Sequence, residues 1–228
     1  MADWALFVDY DGTITNLDTS DVLVRASAGP ERWNDLEAAL RDGSMSLREV
    51  LAEQFAHVRL SLDDADALLA ERTVLDPTFA PFVRACEARS CNVTVLSSGL
   101  APLIRRALAR AELLRVAVYA NEVDADPWGW RLRFRDDSDN GHDKAAAVRA
   151  ANERGASTIF IGDGHSDFEA ALVADRRFAK KGRALETYLR ERGVSFTPFE
   201  RFSQIQGSLF ATPGSSGESF SVGRGELG

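Results

Sequence analysis

Two aspartates separated by one residue, Asp9 and Asp11 in Asp9-Tyr10-Asp11-Gly12-Thr13, follow the apolar run Ala5-Leu6-Phe7-Val8. The run is bounded by turn residues, which predicts a buried strand with both carboxylates at its carboxyl end. If strand geometry persisted, the two would face the same side. Two such charges repel unless a shared proton or a cation intervenes. A hard divalent ion such as Mg²⁺ is the natural partner for oxygen ligands of this kind. A solvated turn explains the same acidic pair equally well, so the decision rests on what the rest of the chain brings to that edge.

Three other stretches carry polar groups in comparable positions. Ser97-Ser98-Gly99 follows Asn92-Val93-Thr94-Val95-Leu96, which reads as a second strand. Gly162-Asp163-Gly164-His165-Ser166-Asp167 follows the strand-like Thr158-Ile159-Phe160-Ile161, and Lys144 opens the helical stretch before it. A first-turn lysine opposes the helix dipole, which suggests that Lys144 has an anionic partner. Ser97 and Ser98 also suit helix caps, Asp167 also suits a first-turn acid, and His165 reads as a polar turn residue. If the sheet is parallel, all these strand ends open on one edge, where ligands bind in open α/β sheets. Four carboxylates, a hydroxyl and an ammonium then converge. Acids for a divalent cation, with a lysine and backbone amides for an anion, are what phosphoryl transfer to a carboxylate requires.

The elements that must position these groups alternate as expected for an α/β fold, a Rossmann-like parallel sheet, with one exception. Residues 16–76 show only helical periodicity, through Trp33, Leu36, Ala39 and Leu40 and then Leu47, Val50, Leu51, Phe55 and Val58. This predicts a helical cap inserted after the first strand, with Asp76-Pro77 marking the return. The core is then residues 1–15 and 77–206. Helices are expected over 79–88, 100–113, 144–154 and 183–192, and short strands over 116–120 and 177–179. A surface hairpin is expected over 123–134, with Trp128 and Trp130 as packing residues. Residues 207–228, rich in Gly and Ser, predict a flexible tail.

With 27 basic against 35 acidic residues among 228, the net charge of −8 argues against a nonspecific nucleic-acid binder or an anionic-membrane binder. An anionic substrate would need cations concentrated at the site. Cys86 and Cys91 have no metal-type grouping around them and read as reduced thiols. No run reaches membrane-spanning length and no basic-then-apolar leader opens the chain, so a cytoplasmic protein is expected.

In their order, Asp9-Tyr10-Asp11-Gly12-Thr13, Leu96-Ser97-Ser98-Gly99, Lys144 and Gly162 to Asp167 resemble the four motifs of the haloacid dehalogenase (HAD) superfamily, specifically its aspartate-nucleophile phosphatases. The likeness covers residues 6–205. It implies Asp9 as nucleophile and Asp11 as general acid and base. It implies Mg²⁺ held by Asp9, the Asp11 carbonyl and Asp163, with Asp167 as a further ligand or supporting partner. The phosphate would be held by Ser97, the amides of Ser98 and Gly99, and Lys144. The family's dehalogenases lack the second aspartate, so Asp11 favours phosphate chemistry. An insert directly after the first motif is similar to the helical-cap class that includes phosphoserine phosphatase. A nearer resemblance is to methionine-salvage phosphatases acting on a hydroxy-keto-methylthiopentenyl phosphate, carried by residues 9–16, 162–171 and 179–202 with the ending Pro198-Phe199-Glu200-Arg201-Phe202. Two departures stand out. Ser-Ser-Gly replaces the usual Ser-Gly-Gly, and Asp18 occupies the cap position that is glutamate in phosphoserine phosphatase. The expected partner is a small phosphorylated metabolite, with Asp18 and Arg48 as the cap residues that read its leaving group. A phosphomutase and a catalytically idle binding protein on this fold are the alternatives.

Overall fold

The structure is a computed structural model that describes residues 4–210. Strand β1 (Trp4–Val8) lies at the centre of a seven-stranded sheet, paired in parallel with β2 (Asn92–Leu100) on one side and β5 (Ser157–Gly162) on the other. β3 (Ala117–Asp126) lies outside β2 and carries the antiparallel edge strand β4 (Gly129–Arg133). β6 (Arg176–Lys180) and β7 (Thr197–Phe199) extend the sheet beyond β5. The chain thus moves outward in one direction through β2 and β3 and in the other through β5 and β6. The resulting crevice lies at the carboxyl end of β1, where such folds bind ligands.

Alternation along β1 assigns the two faces. Leu6 and Val8 pack with Val95, Ile161 and the helices α5 (Phe79–Glu87), α6 (Ala101–Arg110) and α10 (Phe202–Phe210). Phe7 points the other way, into Phe160 and the helices α7 (Lys144–Glu153), α8 (Phe168–Val173) and α9 (Ala184–Glu191). Between Gly12 and Pro77 stand the four helices α1 (Thr19–Ala28), α2 (Pro30–Asp42), α3 (Leu47–Phe55) and α4 (Leu62–Arg72). Three have side-chain caps that satisfy orphan amides, from Asp18 on α1, Ser46 on α3 and Ser61 on α4. The two segments leading in and out are bonded to each other, Asn16 N–H to the Val74 carbonyl at 3.0 Å and Asp76 N–H to the Ile14 carbonyl at 2.8 Å.

The helical insert shares its apolar core with the hairpin. Phe55 stacks on Trp130 at 6.1 Å, and Trp130 Nε1 donates to the Leu60 carbonyl at 2.8 Å. Trp130 is therefore a packing residue, whereas Trp128, expected to pack, sits at the hairpin turn with 84% of its surface exposed. Other differences are local. β2 runs on through Ser97 to Leu100, where its register against β3 shifts, and the helix expected over 100–113 occupies Ala101–Arg110. Residues 207–210 of the expected flexible tail are helical instead, because α10 continues to Phe210, which stacks on Trp4. Residues 211–228 lie outside the described residues. Cys86 and Cys91 are buried thiols. No helix among the described residues is long and apolar enough to cross a membrane.

Candidate active site

Asp9 emerges from β1 with its N–H donated to the Ile161 carbonyl of β5 at 2.9 Å, so its side chain is fixed at the sheet's carboxyl edge. Its Oδ1 accepts a bond of 2.6 Å from Lys144 Nζ, which also reaches Asp167 Oδ1 at 2.7 Å and Ser166 Oγ at 3.1 Å. Among the described residues nothing donates to Asp9 Oδ2. Lys144, at the first position of α7, is only 2% exposed. Burial alone would discharge it, but the charges of Asp167 and Asp9 outweigh that and push its pKa up. The same pair offsets the cost of a cation at a helix N-terminus.

The β5 turn supplies the other carboxylates. Asp167 is fully engaged, its Oδ2 accepting from the N–H groups of Asp163 and Gly164 at 2.9 Å each and its Oδ1 from Lys144. Asp163 Oδ1 accepts from the Thr13 hydroxyl at 2.9 Å. Asp163 Oδ2 lies where a side chain on Gly12 would begin: a Cβ there would come within 2.4 Å, and Gly12 has φ +75°, so only glycine suits the turn. Oxygens of Asp9, Asp163 and Asp167 lie within 4.8 Å of one another. The hard oxygen donors of Asp9 and Asp163 fit a Mg²⁺ ion, while both oxygens of Asp167 are engaged in hydrogen bonds. The excess of negative charge is visible in the acids themselves. Burial, then the charge of Asp167, pushes Asp9 up despite Lys144, and the same two causes push Asp163 up to about 6.

Asp11, two residues beyond Asp9, turns to the insert. Its Oδ1 accepts from both the N–H and the hydroxyl of Thr19 at the start of α1. Burial, and then the nearby charge of Asp18, pushes its carboxyl up to about 7. Opposite it the shifted end of β2 bulges out as Ser97-Ser98-Gly99, with Gly99 N–H donated to Ser97 Oγ at 2.9 Å. A Cβ on Gly99 would lie 2.7 Å from Asp11 Oδ2, so glycine lets the two loops meet. Two buried side chains hold the bulge from behind: Asn121 Nδ2 donates to the Ser98 carbonyl at 2.7 Å, and His142 Nδ1 donates to the Ser97 carbonyl at 3.1 Å.

A cavity of about 250 Å³ opens over this cluster, bounded on the core side by Asp9, Asp11, Ser97, Ser98, Gly99 and Asp163. Asp18 lines it while capping α1 through Oδ1. Arg48 does not line it. The Arg48 guanidinium lies over the Phe134 ring, 4.3 Å from its centroid, and donates to the Asp136 carbonyl, in the wall of an adjoining cavity. Sequence reasoning brought out Asp9, Asp11, Ser97, Lys144, Asp163 and Asp167, which the structure gathers at one edge. It passed over Thr13, Thr19, Asn121 and His142. A threonine directly after a predicted cap residue was the one available signal, for Thr19.

The sequence matches the family model for haloacid dehalogenase-like hydrolase over residues 6–172. It is 35% identical to Pdp3-interacting factor 1 of Schizosaccharomyces pombe, with 90% of this chain and 93% of the relative covered. It is 29% identical to polyol phosphate phosphatase PYP1 of Saccharomyces cerevisiae, covering 90% and 91%. It is 26% identical to a 2-hydroxy-3-keto-5-methylthiopentenyl-1-phosphate phosphatase of Bacillus cereus, covering 90% and 94%. Among solved structures, a phosphoserine phosphatase in the form of a phospho-aspartyl intermediate analogue superposes with a TM-score of 0.69 over 92% of this chain and 99% of that one, at 15% identity. The carboxylate-lined edge and these matches agree that the chain belongs to the haloacid dehalogenase-like hydrolase family.

Proposed function

We propose that the protein is a Mg²⁺-dependent phosphomonoesterase that hydrolyses a small phosphorylated metabolite through an aspartyl phosphate on Asp9. The observation that carries this reading is the asymmetry of Asp9, which lines the cavity with Asp11: Oδ1 is anchored by Lys144, while Oδ2 accepts from no donor among the described residues. An oxygen held in place but left without a hydrogen bond is a ready nucleophile.

Asp9 Oδ2 attacks phosphorus, and Asp11 gives a proton to the departing alkoxide oxygen. A carboxyl pushed up to about 7 carries that proton near neutral pH. Once the alcohol leaves, Asp11 accepts a proton from the water that attacks the acyl phosphate and releases inorganic phosphate. Ser97 Oγ, the amide of Ser98 and Lys144 would hold the phosphate oxygens, joined by the Gly99 amide where the phosphate replaces Ser97 Oγ as its acceptor. Asp9, the Asp11 carbonyl oxygen and Asp163 would hold Mg²⁺, which supplies charge neutralisation at the phosphoryl group when bound. Asp167, with both oxygens engaged, supports Lys144 and the 163–164 turn instead of ligating the ion. Residues 16–76 serve as a cap that excludes water from the first step, over a core of residues 1–15 and 77–206. The phosphatase names of two relatives support a small phosphate ester as substrate. The buried thiols of Cys86 and Cys91 support a cytoplasmic location.

The test is phosphate release from p-nitrophenyl phosphate, with acid-quenched protein assayed for label from a radiolabelled phosphate ester. Wild type should carry label at Asp9 during turnover, and Asp9→Asn should neither take up label nor release phosphate. Turnover by Asp9→Asn at the wild-type rate would overturn the mechanism.

A further inference from the structure

The cap side of the cavity has a chemistry of its own. Its wall is made by Asp18, Ser20, Asp21 and Glu37 over a floor of Leu47 and Leu51. Among the described residues, no lysine or arginine lines it. Lys144, the ammonium of the site, is paired with Asp9 and Asp167 and does not line this wall. Asp21 is preset, because Trp33 Nε1 donates to its Oδ1 at 2.6 Å while Arg25 stacks on that Trp33 ring. Glu37, half-buried on α2, takes no hydrogen bond or ion pair among the described residues, and it stands where this cavity meets the larger one beyond. On the core side, Ser98 Oγ is buried without a partner.

These groups are acceptors, joined by hydroxyls that can turn either way. A leaving group bearing hydroxyls finds an acceptor for each O–H, whereas a carboxylate would face the acids Asp18, Asp21 and Glu37 with no lysine or arginine in the lining, the charges of Arg25 and Arg41 reaching Glu37 from outside it. We infer that Glu37 and Asp21 are specificity-determining residues that select a short, neutral, polyhydroxylated leaving group and reject one that carries a carboxylate. This deepens the phosphatase reading and rests on it. It also accounts for Asp18, whose Oδ1 is committed to the amides of Ser20 and Asp21. Recognition of the leaving group therefore passes one turn along α1 and across to α2. The preference applies to the inner chamber alone, because Arg41 and Arg48 line the outer one.

The test uses the full chain with Mg²⁺ and compares glycerol 3-phosphate with 3-phosphoglycerate, a pair in which a terminal hydroxymethyl is replaced by a carboxylate. Phosphoethanolamine is the amine-bearing arm and p-nitrophenyl phosphate the arm with neither group. Wild type should favour glycerol 3-phosphate over 3-phosphoglycerate by about 100-fold or more in kcat/KM. Glu37→Gln and Asp21→Asn should each narrow that ratio by about tenfold, chiefly through KM, with a smaller change for p-nitrophenyl phosphate. Equal use of the two glyceryl esters by wild type, or a better rate on phosphoethanolamine than on glycerol 3-phosphate, would overturn the inference while leaving the phosphatase reading intact. So would variants that slow all substrates by one common factor. Failure to release phosphate from any of the four esters would overturn the phosphatase reading and this inference with it.

Discussion

Thr19 gives both its backbone N–H and its hydroxyl to Oδ1 of Asp11, at 2.8 and 2.6 Å. Asp11 belongs to the core's first loop and Thr19 to the first helix of the insert, so the proposed acid and base is held by the element that covers it. A hydrogen bond to a charged group contributes about 1.5–3 kcal/mol, and each 1.4 kcal/mol corresponds to about tenfold in rate. Thr19→Val keeps the N–H and removes the hydroxyl. It should lower kcat about tenfold, and Thr19→Ser should recover most of the loss. Equal kcat for Thr19→Val and wild type would show that the hydroxyl does not position Asp11.

Among the described residues, Lys144 is the only ammonium paired with Asp9 and Asp167. Breaking a buried ion pair from one side leaves uncompensated charge and typically costs about 3–5 kcal/mol. Lys144→Met should therefore lose stability of that order in metal-free urea denaturation, and added Mg²⁺ should restore part of it. Wild-type stability in Lys144→Met would contradict the pairing.

Chelation has a readout besides rate. If Asp9 and Asp163 hold Mg²⁺, EDTA should stop phosphate release and Mg²⁺ should restore it. Saturating Mg²⁺ should also raise the wild-type melting temperature by mass action. Asp163→Asn should lose most of that rise, which differential scanning fluorimetry measures directly. A rise in Asp163→Asn equal to that of wild type would place the ion elsewhere.

Much of this edge was legible in the chain because its chemistry is attached to strand ends. Asp9, Ser97 and Asp163 each follow an apolar run, and a parallel sheet brings such ends together whatever lies between them. What was not legible depends on register and on contacts far apart in sequence. Asn121 and His142 reach the carbonyls of Ser98 and Ser97 only because β2 bulges there, and nothing in a one-dimensional pattern announces a bulge. β7 has three residues and contains Pro198, tolerated in its position at the sheet edge, so it shows no alternation to read. Trp128 and Trp130 share a spacing, but the turn between β3 and β4 exposes the first and buries the second.

Arg48 illustrates the same limit. Helical periodicity places it on α3 without saying that its guanidinium reaches Phe134 and the Asp136 carbonyl. Its contribution is to hold the segment after β4, through a cation–π contact and a hydrogen bond of roughly 1 kcal/mol each. Arg48→Ala should accordingly lower the melting temperature by a few degrees. It should also change kcat/KM for glycerol 3-phosphate and p-nitrophenyl phosphate by the same factor. A selective rise in KM for glycerol 3-phosphate would return Arg48 to the substrate-reading role.

His142 gives the structure an acid-sensitive element. It is 3% exposed, and its Nδ1–H is donated to the Ser97 carbonyl. Burial lowers its pKa to about 4; the bond to Ser97 resists that, and the charges of Lys144 and Arg135 add to it. The unfolded chain takes up this proton near pH 6.5, the ordinary histidine value. Stability from keeping His142 neutral is therefore complete above about pH 6.5 and is lost as the pH falls towards about 4, by about 3 kcal/mol in all. Asp11 and Asp163 act with the opposite sign. Their folded-state carboxyls, pushed up to about 7 and about 6, bind protons before the unfolded chain does, so acid favours the folded state through them. The total profile mixes the two, and the comparison that isolates His142 is wild type against His142→Asn, whose amide keeps a donor near the position of Nδ1. In urea denaturation with EDTA, the stability of wild type relative to His142→Asn should be constant above pH 7 and decline between about pH 6.5 and 4. A difference that stays flat across that interval would show that His142 is not held neutral behind the Ser97 loop.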